Sequence, residues 1–529
     1  MANKEENKVS TVKISAFSDI PYNMVSNEIE GESKNIQAEL TEIRQFYEIY
    51  KKGSEFTVEG TNGDYIAANL RYKMAASLIN KEARFLFAET PDIIVDAKGD
   101  IGKVTQETKD MLTSYQDLID TILTKNNFED ALLKAAKDCF IGKRVALLVN
   151  FNEETGVTVT FLPAVNFVYE TKVNDKKTIE KFVAFEVVRS RSSLMDKRIF
   201  KKKYTLENGQ VYLEEGMYDG RGALVEEITP KQTVLLTRIP AFVFINDGLT
   251  NDKQGESEIE ILNDFESYYS KLSNGDMDAA RKSMNPIRYT VDMDVASTKN
   301  LSTSPGSYWD LQSDQNLDNN HAQVGELKSS LEYSSSLKTT LDRIKTTAYE
   351  QVDMPNITLE SMSGVVTSGK ALKSIYWPLI TRCKEKMKTW APGLKYMVDI
   401  IIEGALAYPN CIEQYTDYQL SPVGYEVNVE NNYPLPEDES EEKANDLAEV
   451  AAQTMSKKAY MKKWRGLTDD EAMEELEQMA LERQILEDAA FEGETDSEDD
   501  IDEDVNTGEE VENIDNVVED VADEEVVEQ

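Results

Sequence analysis

Histidine and cysteine are scarce in this chain of 529 residues. His321 is the single histidine, which excludes mechanisms that need two histidines, including those of common zinc hydrolases. The three cysteines, Cys139, Cys383 and Cys411, lie far apart without metal-ligand spacing, which predicts reduced and mostly structural thiols. These absences argue against a metal site.

Long apolar runs are missing as well. No stretch approaches the ~18 consecutive apolar residues of a membrane span. The N-terminus is polar and has no apolar signal core, which argues against secretion. We expect a soluble protein without membrane contact, and the length of the chain predicts two to four domains or subdomains.

Basic residues are few relative to acidic ones, and the formal net charge is −42. Residues 469–529 alone contain 28 acids and one base, Arg483. Aromatic and periodic apolar residues almost disappear beyond Phe491, which predicts a disordered acidic tail over residues 491–529. The favoured interpretation is a solvated polyanion that keeps an assembly soluble. The alternative is a segment that mimics or repels nucleic acid.

Apolar periodicity predicts a mixed α+β body with an antiparallel sheet. Helices are predicted over residues 35–50, 70–88, 105–125, 127–139, 438–454 and 468–489, with Asn127 as a candidate cap. Strands are predicted over residues 92–95, 145–151, 157–161, 182–188, 200–204, 211–215, 234–239 and 425–429. Glu207-Asn208-Gly209 is a strong hairpin signal.

Two further helices flank a polar insert. Ile259, Leu262, Phe265, Tyr269 and Leu272 are the predicted buried face of the first helix, and the second covers residues 336–352. Between the helices lie about 50 residues dense in Ser, Asn, Asp and Thr. A structureless loop of that length is unusual in a compact domain, so we predict a small subdomain at the tip of a helical pair.

A long amphipathic pattern follows residues 361–369, a run of small residues. Leu372, Ile375, Leu379, Cys383, Met387, Trp390, Leu394, Met397 and Ile401 recur at helical spacing. Pro378 and Pro392 predict bends or breaks in this helix. Seven bases stand here against one acid, Glu385. We call these bases the basic island: Lys370, Lys373, Arg382, Lys384, Lys386, Lys388 and Lys395.

The start of this helix invites two interpretations. Residues 364–371 nearly match a P-loop, but Ala371 stands where the magnesium-binding Ser or Thr belongs and no convincing buried strand precedes it. A flexible loop that enters a helix is therefore favoured over a nucleotide site. For the basic island, a solvated face or pairing with the acidic C-terminal helices is favoured over phosphate contact.

Several stretches, in this order of elements, resemble the portal proteins of long-tailed bacteriophages. They are Leu78-Ile79-Asn80-Lys81-Glu82-Ala83-Arg84-Phe85-Leu86-Phe87, Gly255-Glu256-Ser257-Glu258-Ile259, Ser368-Gly369-Lys370-Ala371-Leu372-Lys373, and Ser456-Lys457-Lys458-Ala459-Tyr460 before an acidic helix at residues 469–477. The resemblance covers roughly residues 36–490. The first 35 residues and the acidic tail lie outside it.

This resemblance implies an α+β, portal-like fold with named subdomains. They are an N-terminal arm (1–35), a wing (36–255, with 407–437 returning to it), stem helices (256–284 and 336–354), a clip (285–335), a tunnel loop and kinked helix (355–406), a crown (438–490) and the disordered acidic tail (491–529). The tunnel loop would face DNA. Its implied site residues are Met362, Ser363, Gly364, Val365, Val366, Thr367, Ser368, Gly369 and Lys370.

The resemblance also implies a function and partners, and it implies no cofactor, no metal, no catalytic residue and no enzymatic activity. The chain would form a dodecameric ring at one vertex of the virion capsid, assembled in the host cytoplasm, through which double-stranded DNA is packaged and ejected. Its other partners would be the terminase, the head-tail connector, and the major capsid and scaffolding proteins. Two alternatives stay open: a nucleotide-driven enzyme that uses Gly364 to Lys370, and a non-catalytic adaptor with an acidic recruitment tail.

Overall fold

The computed structural model describes most of the chain and separates it into two units, Met1–Pro436 and Glu437–Gln529. The described residues are 20–28, 33–57, 66–98, 105–189, 197–249, 254–284, 287–298, 309, 311–314, 323–327, 332–357, 369–416, 420–434, 439–468 and 471–483. His321 and the predicted acidic tail lie outside these residues.

Five helices occupy the first part of the chain. They are α1 (Tyr22–Ser26), α2 (Ser33–Lys52), α3 (Met74–Leu86), α4 (Gln106–Lys125) and α5 (Phe128–Gly142). The Thr105 hydroxyl accepts from the Thr108 amide at 3.3 Å and caps α4. The predicted Asn127 cap is wrong: Asn127 has a φ of 49° and its side chain makes no capping hydrogen bond. Its left-handed backbone turns the chain sharply from α4 into α5.

Antiparallel sheets follow, as predicted. Strands β2 (Arg144–Asn152), β3 (Gly156–Pro163) and β9 (Ala241–Ile245) form a three-stranded sheet in the order β3-β2-β9. A five-stranded sheet contains β4 (Phe167–Thr171), β5 (Ile179–Arg189), β6 (Arg198–Glu207), β7 (Gln210–Asp219) and β8 (Leu224–Val234) in chain order. The hairpin signal is confirmed, since Asn208 (φ 52°) and Gly209 (φ 80°) turn β6 into β7.

The predicted strand at 234–239 is wrong, and β4, β8 and β9 were not predicted. β8 ends at Val234 and β9 begins at Ala241, so residues 235–240 are a connection. β8 escapes prediction because it is an almost fully exposed edge strand that includes Glu226, Glu227 and Pro230. A strand that buries neither face has no apolar alternation, and proline is tolerated at an edge.

Two long helices frame the polar insert. They are α6 (Glu258–Met284) and α8 (Ser334–Gln351). The described part of the insert has a short helix, α7 (Val295–Thr298), and a two-stranded antiparallel sheet of β10 (Ile287–Val291) and β11 (Gln323–Leu327). The Tyr333 hydroxyl, before α8, donates to Asp276 near the end of α6 at 3.3 Å, so the two helices run antiparallel.

The amphipathic pattern forms one continuous helix, α9 (Gly369–Ala407), of 39 residues. Its predicted core positions from Leu379 to Ile401 are buried, and Trp390 stacks on Phe244 with ring centroids 4.3 Å apart. The helix is not broken at Pro378 or Pro392. A proline costs a helix about 3 kcal/mol, whereas each fully buried large apolar side chain contributes about 1.5–3 kcal/mol, so packing along α9 outweighs both prolines.

The last described strand of the first unit lies beside its first described strand. Strand β12 (Tyr425–Glu430) pairs antiparallel with β1 (Asp92–Ala97). The predicted late strand at 425–429 is thereby confirmed. Ile93, Val95 and Val427 face the core from this two-stranded sheet.

The second unit is helical in its described part. It contains α10 (Glu439–Ala451), α11 (Lys457–Arg465) and a helical stretch over residues 471–483. The Trp464 indole donates to Asp446 at 2.7 Å and joins α11 to α10. Helix α11 was not predicted; Ser456 caps it by accepting from the Ala459 amide at 3.1 Å.

Candidate functional site

The predicted tunnel loop falls largely outside the described residues. Met362, Ser363, Gly364, Val365, Val366, Thr367 and Ser368 are not described, and Gly369 and Lys370 form the first residues of α9. The structure describes the chain on both sides of this loop, up to Ile357 and from Gly369 onward. The candidate site described below therefore consists of elements that precede and follow the loop.

A buried charge cluster joins these elements. It consists of Glu82, Glu258, Arg382 and Lys386. Glu258 Oε1 lies 2.6 Å from Arg382 Nη2 and 2.9 Å from Lys386 Nζ. Arg382 Nε donates to Glu82 Oε1 at 2.8 Å. Both carboxylates are 1% exposed, whereas the Arg382 and Lys386 side chains are 14% and 3% exposed.

Three separate helices supply the cluster. Glu82 comes from α3 and Glu258 is the first residue of α6, where the helix dipole favours a negative charge. Arg382 and Lys386 lie one turn apart on α9, so both point toward the same side. Arg382 Nη1 also approaches Asp353 Oδ2, just beyond α8, at 3.8 Å. Through Arg382 the cluster joins α9 to the start of α6 and to the residue that closely follows α8.

Further contacts complete the surroundings of Lys386. Its Nζ donates to Asn246 Oδ1 at 2.7 Å and to Asp247 Oδ2 at 3.2 Å, and it lies 4.4 Å from the Phe140 ring centroid. A cation removed from water is tolerated only when such partners replace its hydration. The connection after β9 is therefore also joined to α9.

The two buried carboxyl groups differ in their proton affinity. Burial and the adjacent Glu258 raise the pKa of Glu82 above its ordinary value. Burial would also raise the pKa of Glu258, but contact with Lys386 and Arg382 lowers it to about 2. Glu258 and Glu82 in turn raise the pKa of Lys386, against the effect of its burial. Glu258 and Lys386 are therefore a charged pair at neutral pH.

Local contacts explain the residue types in the stretch from Gly255 to Ile259. Gly255 has a φ of +75°, and a Cβ there would lie 2.7 Å from the carbonyl oxygens of Asn246 and Lys143. Any side chain would collide with backbone at that point. The Ser257 hydroxyl donates to the Ile141 carbonyl at 2.7 Å and accepts from the Ile259 amide at 3.2 Å. This stretch fixes where α6 leaves the body.

The basic island is thus divided, and its favoured interpretation needs correction. Arg382 and Lys386 are internal and pair with Glu82 and Glu258, so they do not belong to a solvated helix face. Lys373, Lys384 and Lys388 are exposed. The sequence of α9 alone cannot distinguish the buried bases from the exposed ones, because the acidic partners of Arg382 and Lys386 come from α3 and α6.

A second polar constellation was missed in α6. The side-chain ladder consists of Glu266, Ser270, Asn274 and Asp278. Glu266 accepts from the amides of Ser54 (2.6 Å) and Ala75 (2.7 Å). The other three side chains accept from the amides of Tyr72 (3.3 Å), Leu70 (2.7 Å) and Ala68 (2.9 Å) in that order. The ladder holds an extended segment along the helix.

The ladder has a simple geometric basis. Four residues of an α-helix rise about 6.0 Å, and two residues of extended chain rise about 6.6 Å. From Ser270 to Asp278, every fourth helix side chain therefore meets every second amide, those of Tyr72, Leu70 and Ala68. Glu266, Ser270 and Asn274 are buried, while the predicted apolar positions Phe265 and Tyr269 are only half-buried. The buried-face prediction for α6 holds at Ile259 and Leu262 and fails beyond them. The ladder could have been predicted from the sequence by the regular spacing of its four polar residues.

Chemistry of other kinds finds little support. Among the described residues, no group of three or more His, Cys, Asp or Glu side chains is placed to hold a metal ion. Searched over the same residues, no helix has the length and apolar character needed to cross a membrane. Cys139, Cys383 and Cys411 are buried free thiols, and burial raises the pKa of the Cys383 thiol to about 12.

Comparisons with known proteins identify the family. Residues 31–488 match the family described as "Phage portal protein, SPP1 Gp6-like". No curated protein matches. A solved structure titled "Neck of native GTA particle computed with C12 symmetry" is 9% identical, covers 73% of this chain and 88% of that chain, and has a TM-score of 0.33, too low to support any argument. On the family match, which spans most of its length, this chain belongs to the SPP1 Gp6-like phage portal proteins.

Proposed function

We propose that the chain assembles into a dodecameric ring at one capsid vertex, and that double-stranded DNA passes through the axial channel of this ring. DNA would enter during packaging and leave at infection. The observation that carries the proposal is the family match over residues 31–488. The role is structural, and the proposal requires no cofactor and no catalytic residue.

Under this proposal the subdomains keep the boundaries implied by the resemblance. Two contacts support them. The pairing of β12 with β1 supports a wing to which residues 407–437 return. The antiparallel pair α6 and α8, with the β10–β11 sheet between them in sequence, supports a stem that presents a clip. The clip at 285–335 would meet the terminase and later the head-tail connector, whereas the capsid and scaffolding proteins would surround the ring.

The charge distribution suits a channel through which DNA slides. Each lysine or arginine that neutralises a phosphate adds salt-dependent affinity and would hold DNA in place. Arg382 and Lys386 are occupied by Glu82 and Glu258, so they are withheld from phosphates. The remaining chain is strongly acidic. This arrangement favours passage over capture.

The tunnel-loop assignment, residues 362–370, comes from the family resemblance, and a contact between the elements that flank the loop supports it. Arg382 Nη1, on the helix after the loop, lies 3.8 Å from Asp353 Oδ2, which precedes the loop, so the two flanking elements are in contact. Replacing Val365 and Val366 with bulky charged residues should leave ring formation intact and impair DNA packaging. The matched control is the same replacement of Val225 and Ile228, which are exposed on edge strand β8. Packaging at the wild-type rate would contradict the assignment.

Electron microscopy of the purified chain tests the proposed function as a whole. Rings with an axial channel are expected under assembly conditions. A monomer or small oligomer under all such conditions would contradict the proposal and favour the adaptor alternative. ATP hydrolysis that is lost on Lys370→Ala would instead favour the nucleotide-driven enzyme.

A further inference from the structure

The first half of α9 leaves one basic face exposed. Lys373, Trp377, Lys384 and Lys388 lie on it, spaced so that all four fall on one side of the helix. We call these four residues the α9 basic face. The Trp377 side chain is 63% exposed, and Lys384 Nζ lies 6.0 Å from its ring centroid. Within the described part of the chain, Lys384 and Lys388 form no salt bridge.

An acidic face occurs on the two-stranded sheet of β1 and β12. Asp92 pairs with Glu430 and Asp96 pairs with Glu426 across the strands. Ile94, 42% exposed, lies between the two rows. The five side chains point to the same outer surface because alternate residues of a strand share a face. We call Asp92, Asp96, Glu426 and Glu430 the β1–β12 acidic face.

This acidic face is unfavourable in the isolated chain. Like charges directly opposite each other destabilise a pair of strands. Asn432 and Asn428 donate to Asp92 and Asp96 at 3.1 and 3.3 Å, which supplies hydrogen bonds but no positive charge. None of the four carboxylates has a salt bridge to another described residue. Two neighbouring rows of unpaired acids are therefore placed where a basic surface would stabilise them.

The two faces match in spacing as well as in sign. Lys373 and Lys384 are separated by about 16 Å along the helix, with Trp377 between them. The two acid rows are separated by about 13 Å along the strands, with Ile94 between them. A lysine side chain readily spans the small difference. Each face thus has charges at both ends and an exposed apolar side chain in the middle.

We propose that the α9 basic face of one subunit docks on the β1–β12 acidic face of a second copy of this chain. The inference rests on the proposed ring. A ring needs a head-to-tail interface in which two different patches of the subunit meet. Opposite charges at that interface also counter the repulsion between subunits that each have a net charge of −42.

Duplex DNA is the weaker candidate for the basic face. An exposed tryptophan binds nucleic acid by stacking on unpaired bases, and the bases of a duplex are already stacked on one another. At a protein interface, by contrast, tryptophan is among the residues that contribute most to binding. Trp377 and the neighbouring lysines therefore fit a protein surface that combines acids with an apolar centre.

Charge reversal tests the pairing. The variants are Lys384→Glu with Lys388→Glu, Asp92→Lys with Glu430→Lys, and all four changes together. Each double variant should raise the protein concentration needed for half-maximal ring assembly by about tenfold or more. In the fourfold variant this concentration should fall back most of the way to the wild-type value. Light scattering and electron microscopy measure assembly. Circular dichroism confirms that each variant is folded, as expected for exposed positions.

The matched control is Lys176→Glu with Lys177→Glu, which makes the same change of charge in the exposed turn between β4 and β5. Assembly of this control near the wild-type concentration would support the pairing. The proposal is overturned if Lys384→Glu with Lys388→Glu assembles like the control, even if it binds DNA less well, or if the fourfold variant is not rescued. If the wild-type chain forms no ring, the proposed function itself fails.

Discussion

Replacing Glu258 with glutamine removes the carboxylate that both Arg382 and Lys386 contact. The change keeps the shape of the side chain and deletes one of the two acids of the buried charge cluster. Glu82 alone then faces two cations, with Asp247 and Asp353 at the partly exposed edge. A buried cation left without its partner is the main source of the expected loss.

The magnitude can be worked out in two ways. The pKa of Glu258 falls from the ordinary 4.5 to about 2 in the folded chain, which corresponds to about 3 kcal/mol of stability at neutral pH. Removal of one partner from a buried pair costs about 3–5 kcal/mol in general. We therefore expect Glu258→Gln to lower the free energy of unfolding of the first unit by about 3 kcal/mol.

The pH dependence provides a second signature. A carboxyl whose folded-state pKa is lowered contributes its full stability above its unfolded pKa and loses it as the pH falls through the folded value. For Glu258 this window runs from about pH 4.5 down to about pH 2. The wild-type chain should lose this stability on acidification, and the variant should not. Glu82 acts in the opposite sense because its pKa is raised.

Urea unfolding followed by tryptophan fluorescence measures the effect. Trp390 is buried on the same helix as Arg382 and Lys386 and packs on Phe244 and Phe87, so it reports on this region. Glu48→Gln is the matched control, since Glu48 pairs with Lys52 on the exposed surface of α2. Exposed pairs of this kind contribute little, and the control should unfold at the wild-type urea concentration.

A double variant decides whether the cluster acts as a unit. Glu258→Gln combined with Lys386→Met removes one charge of each sign, so it should cost less than the sum of the two single changes. A loss below about 1 kcal/mol for Glu258→Gln, or simple additivity of the pair, would refute a coupled buried network.

Three further changes have defined outcomes. Gly255→Ala should prevent stable folding, because the added Cβ would lie 2.7 Å from two carbonyl oxygens. A Cβ at Gly209 would have no atom within 4 Å, so Gly209→Ala should lower the free energy of unfolding, measured by thermal unfolding, by only about 1 kcal/mol. Equal losses would contradict the steric argument. Glu266→Ala should speed hydrogen exchange at the amides it binds, those of Ser54 and Ala75, and unchanged protection would exclude the ladder as their anchor. Burial raises the pKa of Asp138 to about 6, so the stability from its protonation is complete below about pH 3.8 and lost as the pH rises through 6. Asp138→Asn should remove this dependence from melting curves recorded between about pH 4 and pH 6. An unchanged slope would contradict it.

The buried face of α9 could be predicted from the sequence because a single helix determines it. Leu379, Cys383, Trp390 and Leu394 recur at helical spacing, and any packed environment buries that face. The hairpin at Asn208 and Gly209 was predictable for a similar reason, since two adjacent residues specify the turn. Local patterns of this kind do not depend on which other element packs against them.

The buried charge cluster could not be predicted in the same way. Arg382 meets Glu82 across 300 residues and Glu258 across 124 residues of chain. In the sequence these acids are two among many, and nothing local marks them as buried. The order of elements and the quoted stretches did suggest the family, because a family resemblance summarises long-range packing that periodicity does not contain.

The side-chain ladder of α6 has a mechanical consequence. Its four side chains lie in one row and bind amides between residues 68 and 75, and Glu266 also binds the Ser54 amide, so a rotation of α6 about its axis must strain all of these hydrogen bonds together. Sliding along the axis would leave the same amides without acceptors. The helix is therefore fixed in both rotation and register against residues 68–75. A rotation of α6 would therefore pull on the start of α3 through these hydrogen bonds.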